Sequence, residues 1–360
     1  DSYSILRNGD VLATNVTANN YDDLNVYPGT YTYVVRAHYN DLGYSPASNE
    51  ASETVPGGIN RNLVVLEIGT GTWCQYCPGA AMGADDLVEN GHNVAVIEYH
   101  DGDNYVVTDA TNRLNYYSVS YFPTAHFDGT IVHEGGNATT SLYNTYLPSY
   151  NERIVVPAVF DVTLDVTETA PESYSATVTV EETYSYFSSG LVLHAVLTES
   201  HIPEAWQNQT ELNFVCRAMY PGSNGTALDF SGQTTQTETF DFTLDPSYVK
   251  DNCEFIVFVQ HNPTKEIIQA EKVNLGNLVV INEPESQVTT IYPNPANDLL
   301  KVYAEGIREI IITGVTGQIV YHSAASGNYH QIDVSSLAAG LYAITVTTEK
   351  GISNRKALIK

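Results

Sequence analysis

Two stretches, LVVLEIG (63–69) and NVAVIEYH (93–100), are apolar along almost their whole length instead of on alternate residues. Such strands must be covered on both faces. Between them GAAMGADDLVEN reads as a helix that stops at Gly91, so the order strand, helix, strand predicts a parallel βαβ unit. A second helix is expected at about 108–118, TDATNRLNYYS, and YFPTAHFDGTIV then gives a strand, an Asp-Gly turn and another strand.

The rest of the chain alternates. Residues 1–56 carry short runs broken by Asn-Gly-Asp and Pro-Gly turns, and 155–280 hold six or more, among them YSATVTVEE, GLVLHAVLTES and EFIVFVQH. PGGINRN (56–62) and INEPESQ (281–287) read as linkers, and 291–360 is a further small β module. With 43% hydrophobic residues, only 16% charged and 26 tyrosines, the 360-residue chain is expected to be multidomain and mostly β. The expected segments are 1–56, 57–152, 153–282 and 288–360.

Against 42 acidic residues stand 15 Lys plus Arg, a net charge of −27 that repels phosphate backbones and anionic lipid. No nucleic-acid partner is expected. No run of 18 apolar residues occurs, so no transmembrane segment is expected, and DSYSILRNGD lacks the basic start of a signal peptide. The chain is read as beginning after processing or truncation. An even cysteine count with one distant pair fits an oxidising compartment, and Cys216 and Cys253, 37 positions apart, are expected to form a structural disulfide.

TGTWCQYCPGAA (70–81) places Cys74 and Cys77 between the first strand and its helix. Zinc would require two further ligands at suitable spacing, which the distant cysteines do not supply. A structural staple and a redox pair both remain. At a helix N-terminus a thiolate is stabilised by the dipole and by unpaired N–H groups, which makes Cys74 the exchanging sulfur and Cys77 the resolving one, with Trp73 an apolar platform. The setting resembles the thioredoxin family, in which a cis-proline before the next core strand packs against the cysteines. Phe122-Pro123-Thr124 stands at that place. The resemblance implies catalytic roles for Cys74, Cys77 and Pro123 and substrate contacts by Trp73 and Phe122, without a cofactor. Gln75 and Tyr76 replace that family's Gly-Pro, and Glu67, the nearest acid, is one position out of register with its buried Asp.

Residues 61–275 resemble the outer membrane protein 28-related family through LEIGTGTWCQYCP, AVIEYHDGDNY, YFPTAHFDG, LVLHAVLTESHI, NFVCRAMYP and FVQHNPTKEIIQAEKV. This implies an exported protein joining a thioredoxin-like α/β domain to a β-sandwich. Gly69 stands where that family usually has an aromatic. Residues 1–56 are similar to the second half of a fibronectin type III domain, with Tyr31 as its corner tyrosine. IYPNPANDLLKVY, IIITGVTGQIVY, IDVSSLAAGLYAITVTT and RKALIK resemble a type A sorting domain of the type IX secretion system. That likeness implies an extracellular or outer-membrane-attached protein and the secretion machinery as partner of residues 288–360.

His100, Asp101 and Asp103 lie at a strand's C-terminal end, where a cation could bind, but turn geometry accounts for them better and no metal is expected. His194, His201 and His261 lack ligand spacing, and Trp206 reads as packing. Two functions follow: thiol–disulfide exchange on a protein substrate, or a non-catalytic surface or adhesive module with the Cys-x-x-Cys as a staple.

Overall fold

The computed structural model describes residues 2–40, 42–187, 189–278, 289–314, 318–349 and 351–360; the linker expected at 281–287 lies outside them. The two continuous apolar runs form the middle of a nine-stranded sheet. Val64–Thr70 and Val94–His100 pair in parallel, Val64 opposite Val94 through Thr70 opposite His100, and every residue of both is buried. Helix α1, Pro78–Glu89, connects them. Beyond the first strand, Thr124–Phe127 and Ile131–Glu134 continue the sheet antiparallel.

On the other side the sheet runs across the boundary expected at 152/153. Val215–Tyr220 joins Val94–His100 through a parallel pair at Val215 and Glu98, where the Glu98 N–H donates to Phe214 O at 2.8 Å. Leu191–Glu199, Cys253–His261 and Glu266–Asn274 then follow antiparallel. Sequence periodicity reports what covers a strand, not which distant strand it pairs with, so the two segments read as separate although they share one sheet.

Helix α1 and helix α3, Tyr143–Ile154, cover one face: Ala80, Ala84, Leu87, Tyr146 and Tyr150 pack on Leu66, Ile68 and Phe127. Helix α2, Thr108–Tyr117, covers the other, with Ala110 and Leu114 against Val65, Ile97 and Tyr99. A second sheet, Phe160–Ala170, Ser173–Glu182 and Thr235–Thr243, packs on the antiparallel half. Its inward side chains alternate, Val178 and Val180 on one strand and Phe240 and Phe242 on another, as a one-sided strand requires. Each such buried side chain contributes about 1.5–3 kcal/mol by leaving water.

Residues 2–55 form a separate sheet whose long strand Gly29–Tyr39 pairs with Ser2–Arg7 and Ala51–Val55. Tyr31 OH donates to Tyr27 O at 2.8 Å, and Tyr27 OH to Pro157 O at 2.8 Å. The chain divides into two units, 1–278 and 279–360. In the second, five strands from Thr290–Tyr292 to Gly351–Ile359 enclose Leu300, Val302, Ile310, Ile312, Ile344 and Val346.

Glu67 points to the α2 side, where it accepts from Arg113 Nη2 at 2.7 Å, Tyr99 OH at 2.8 Å and Tyr117 OH at 2.5 Å. Gln260 accepts from Arg113 Nη1 at 3.0 Å and donates to Tyr117 OH at 2.9 Å. Burial and the neighbouring Glu67 push both phenols well above their usual range. Replacing Arg113 by Met should cost about 3–5 kcal/mol in denaturant unfolding, because Glu67 is then left as an uncompensated buried charge.

The expected bridge between Cys216 and Cys253 is not formed, and both are free, buried thiols. They lie on the two neighbours of Leu191–Glu199, Cys216 opposite Thr198 and Cys253 opposite Glu199. One strand therefore separates them, roughly 9–10 Å at the usual strand spacing, beyond the reach of a disulfide. They also face opposite ways, Cys253 into the core between the sheets and Cys216 into the cluster beneath α2. Burial raises both, Cys253 to about 12. A thiol titration without reductant should find two reactive thiols per chain in denaturant and none in the native protein.

Candidate functional site

The first central strand ends at Thr70, and the chain turns at once, the Cys74 N–H donating to Gly71 O at 3.0 Å. Cys77 is the cap of α1, so it lies just outside the helix and not a turn within it. Cys74 and Cys77 form a disulfide with their Cα atoms 5.4 Å apart. Cys77 is fully buried and Cys74 is 4% exposed. The free N–H groups expected beside the pair are used otherwise: Pro78 has none, and Gly79 donates to Asn137 O at 2.7 Å. The helix terminus thus offers less to a thiolate than the spacing alone suggests.

Phe122 joins the apolar cluster around the two cysteines and meets Trp73 edge-on at 5.6 Å. The Phe122–Pro123 peptide is cis, and Pro123 O accepts from Gly135 N at 2.8 Å. Gly136 threads between the cysteine loop and this proline. A Cβ there would lie 2.1 Å from Tyr76 O and 2.6 Å from Pro123 Cγ, so only glycine fits. Trp73, Tyr76 and Tyr121 stand more than half exposed, an aromatic rim beside the disulfide. At Gly69, a Cβ would come within 2.8 Å of Leu114 Cδ2, so α2 leans into the space an aromatic would need.

The acidic loop after Val94–His100 serves this rim. Trp73 Nε1 donates to Asp101 O at 2.7 Å, and Asp103 Oδ2 accepts from Thr72 N at 2.8 Å and bonds His100 Nδ1 at 2.7 Å. Burial alone would raise Asp103, but these bonds and one from Tyr105 N hold it below the usual range. Among the described residues no group of three or more His, Cys, Asp or Glu is arranged to hold a metal ion.

The sequence reading missed what lies over the pair and beside it. A hairpin, Ile202–Trp206 and Gln209–Leu212, places Ile202, Trp206 and Leu212 against Cys74 and Cys77. Under it a cavity of about 130 Å³ is lined by Ala81, Asp85, Glu98, Trp206, Glu211 and Asn213 among others. Glu98, aligned with Ile68, is buried on the α1 side of the sheet, 3.8 Å from the otherwise unpartnered Nε2 of His100. Its burial, then Asp85 and Asp103, push its carboxyl well above the usual range. Burial raises Asp85 to about 6, against the hydrogen bond from Asn213 and with Glu89, Glu211 and Asp86 adding to the rise. One signal was there: an acid inside the otherwise apolar run VAVIEYH.

Residues 290–360 match the family described as the secretion system C-terminal sorting domain. The chain therefore carries a type IX secretion tail, which directs export to the cell surface or outer membrane. Among the described residues no helix is long and apolar enough to cross a membrane. None of the curated proteins matches the chain. The structure of HBP35 of Porphyromonas gingivalis is similar over 85% of this chain and 100% of that one, with 19% identity and a TM-score of 0.51, a likeness of fold. A domain of the outer membrane lipoprotein Omp28 from the same organism matches 33% of this chain and 88% of its own at 15% identity and a TM-score of 0.26. A biofilm associated protein BSP domain matches 66% and 59% at 8% identity and a TM-score of 0.22. At those last two scores the similarity says nothing about function.

Asp85 and Glu98 hold their protons more tightly in the folded chain than in the unfolded one. Their contribution is therefore complete below the unfolded value near 4 and is lost as pH rises through the folded one. Asp85→Asn keeps an acceptor for Asn213 and removes the charge. It should be more stable than the wild type by about 1–3 kcal/mol at pH 8, with the gap closing toward pH 4 in thermal unfolding.

Proposed function

We propose that this exported chain is a thioredoxin-like protein whose Cys74–Cys77 pair exchanges with thiols of protein substrates outside the cell. The observation that carries the reading is the disulfide at the junction of a central strand and helix α1, with Cys74 the less buried sulfur beside Trp73 and Phe122. Phe122, which precedes the cis-proline at the entrance to the neighbouring antiparallel strand, is read as the backbone contact for substrate, with Pro123 packing toward the cysteine pair. In the disulfide state the pair is an oxidant. A substrate thiolate attacks Cys74 Sγ, the Cys74–Cys77 bond breaks, and Cys77 leaves as a thiolate that takes up a proton. A second substrate thiolate then attacks the substrate sulfur of the mixed disulfide and releases Cys74, and two electrons have passed to the protein. No cofactor is needed.

In the same reading, 57–152 is the thioredoxin-like domain and 153–282 a β-sandwich, as in the outer membrane protein 28-related family. Residues 1–56 are a partial fibronectin type III module, a view supported by the Tyr31 to Tyr27 bond. Residues 288–360 engage the secretion machinery. A second reading, a non-catalytic surface or adhesive protein with a structural disulfide, is favoured by the near-complete burial of Cys74. Insulin reduction and oxidative refolding of a reduced protein separate the two. Turnover should fall at least 100-fold in Cys74→Ser, and a wild type no faster than that variant leaves the structural reading.

A further inference from the structure

Among the described residues the hairpin Ile202–Leu212 stands apart from the other strands: its two strands form a sheet of their own, paired to each other alone. Pairing is sparse, with Ile202 opposite Leu212, Pro203 opposite Glu211 and Trp206 opposite Gln209, and Pro203 has no N–H to give. A lone two-stranded hairpin is marginal in water, so this one depends on what its side chains touch. They touch the disulfide. Trp206, 5% exposed, packs with Ile202 and Leu212 on Cys74 and Cys77, and its Nε1 donates within the hairpin to Glu211 O at 2.9 Å.

Its attachments are unequal along its length. The base is clamped: His201 N donates to Asn213 Oδ1 at 2.8 Å and Phe214 N to Ser200 Oγ at 2.9 Å. Asn213 Nδ2 also reaches Asp85 Oδ1 at 2.9 Å. The tip is held by Gln207 Nε2 to Thr72 O at 3.0 Å, an exposed bond, and the middle by Tyr105 OH to Glu204 Oε2 at 3.0 Å. At the two ends of the hairpin sit His201 at φ 54° and Phe214 at φ 57°. A left-handed backbone costs a bulky residue such as phenylalanine, and release of that strain favours rotation at this position.

We propose that this hairpin is a hinged cover that turns about His201 and Phe214, and that Trp206 is the plug deciding which thiols reach the Cys74–Cys77 disulfide. Closed, it seals the sulfurs with apolar surface and keeps Glu98 from bulk water. Open, it bares Cys74 and an apolar seat of Val215, Tyr105 and Phe122 next to the aromatic rim. Its purpose rests on the exchange reading above, but the cover is tested by chemistry that needs no protein substrate.

The full-length oxidised chain is exposed to dithiothreitol, acid-quenched, alkylated under denaturing conditions and read at the Cys74–Cys77 peptide by mass spectrometry. Trp206→Ala should speed reduction at least tenfold over the wild type, Trp206→Phe should stay within threefold, and Gln207→Ala should give a rise of about two- to fivefold. Amides of the hairpin should also exchange with deuterium faster than those of Cys253–His261. If Trp206→Ala folds and is reduced within twofold of the wild-type rate, the cover is refuted. If it does not fold, a Gln207→Ala rate equal to the wild type together with hairpin exchange as slow as the sheet's refutes it. Faster reduction without insulin turnover in any form keeps the cover and removes the catalytic reading.

Discussion

An ionised carboxylate with almost no water around it has to be neutralised from within the protein, and Glu67 imposes that demand on the centre of the sheet. The answer comes from elements far apart in sequence: Arg113 and Tyr117 on α2, Tyr99 on the adjacent strand, and Gln260, which holds Arg113 from the antiparallel half. Helix α2 is thereby fixed in position over both parts of the sheet. Asp128 does the same at the other end, taking Arg153 at 3.0 Å and Arg61 at 3.1 Å, with Val65 N on its second oxygen at 2.9 Å. A chain with 15 cations among 42 acids buries three of its arginines, Arg61, Arg113 and Arg153. Buried pairs of this kind add little net stability, but losing one partner is expensive, so they specify one arrangement of sheet and helices.

The parity of a strand divides its chemistry. Glu67 looks toward α2 and finds a cation; its neighbour Ile68 looks toward α1, in line with Glu98. Among the described residues no arginine pairs with Glu98 on that face, where Asp85 and Glu211 share its cavity. The two sides of one sheet thus treat acids differently, one holding the charge and the other favouring the proton. The sulfurs lie on the second side, beneath the hairpin.

What could be read from the sequence was set by what each residue needs locally. LVVLEIG and NVAVIEYH announce covered strands, and the elements there are Val64–Thr70 and Val94–His100. The helix expected at about 108–118 is Thr108–Tyr117, ending at Ser118 in a left-handed conformation. Helix α3 escaped notice because Pro148 interrupts a weak pattern, and it is held by contacts of Tyr146 and Tyr150 that only the folded sheet provides. Within the site, Cys74 and Cys77 are legible by their spacing and Phe122 through the thioredoxin resemblance, and the structure gathers the three side chains into one cluster. The hairpin with Trp206 arrives from about 130 residues further along, and no local pattern announces where it lands. The same limit defeated the pairing of Cys216 with Cys253, since strand neighbours and side-chain parity exist only once the sheet is built.

Those two isolated sulfurs carry a consequence for assembly. In the unfolded chain four cysteines can join in three ways, each open to thiol–disulfide scrambling. Once Leu191–Glu199 lies between Cys216 and Cys253, they cannot meet, and their burial shelters both from passing oxidants. The order of events therefore matters: the sheet must close before oxidation reaches the inner thiols. After that, four sulfurs amount to a single two-electron couple, and the architecture itself proofreads the connectivity.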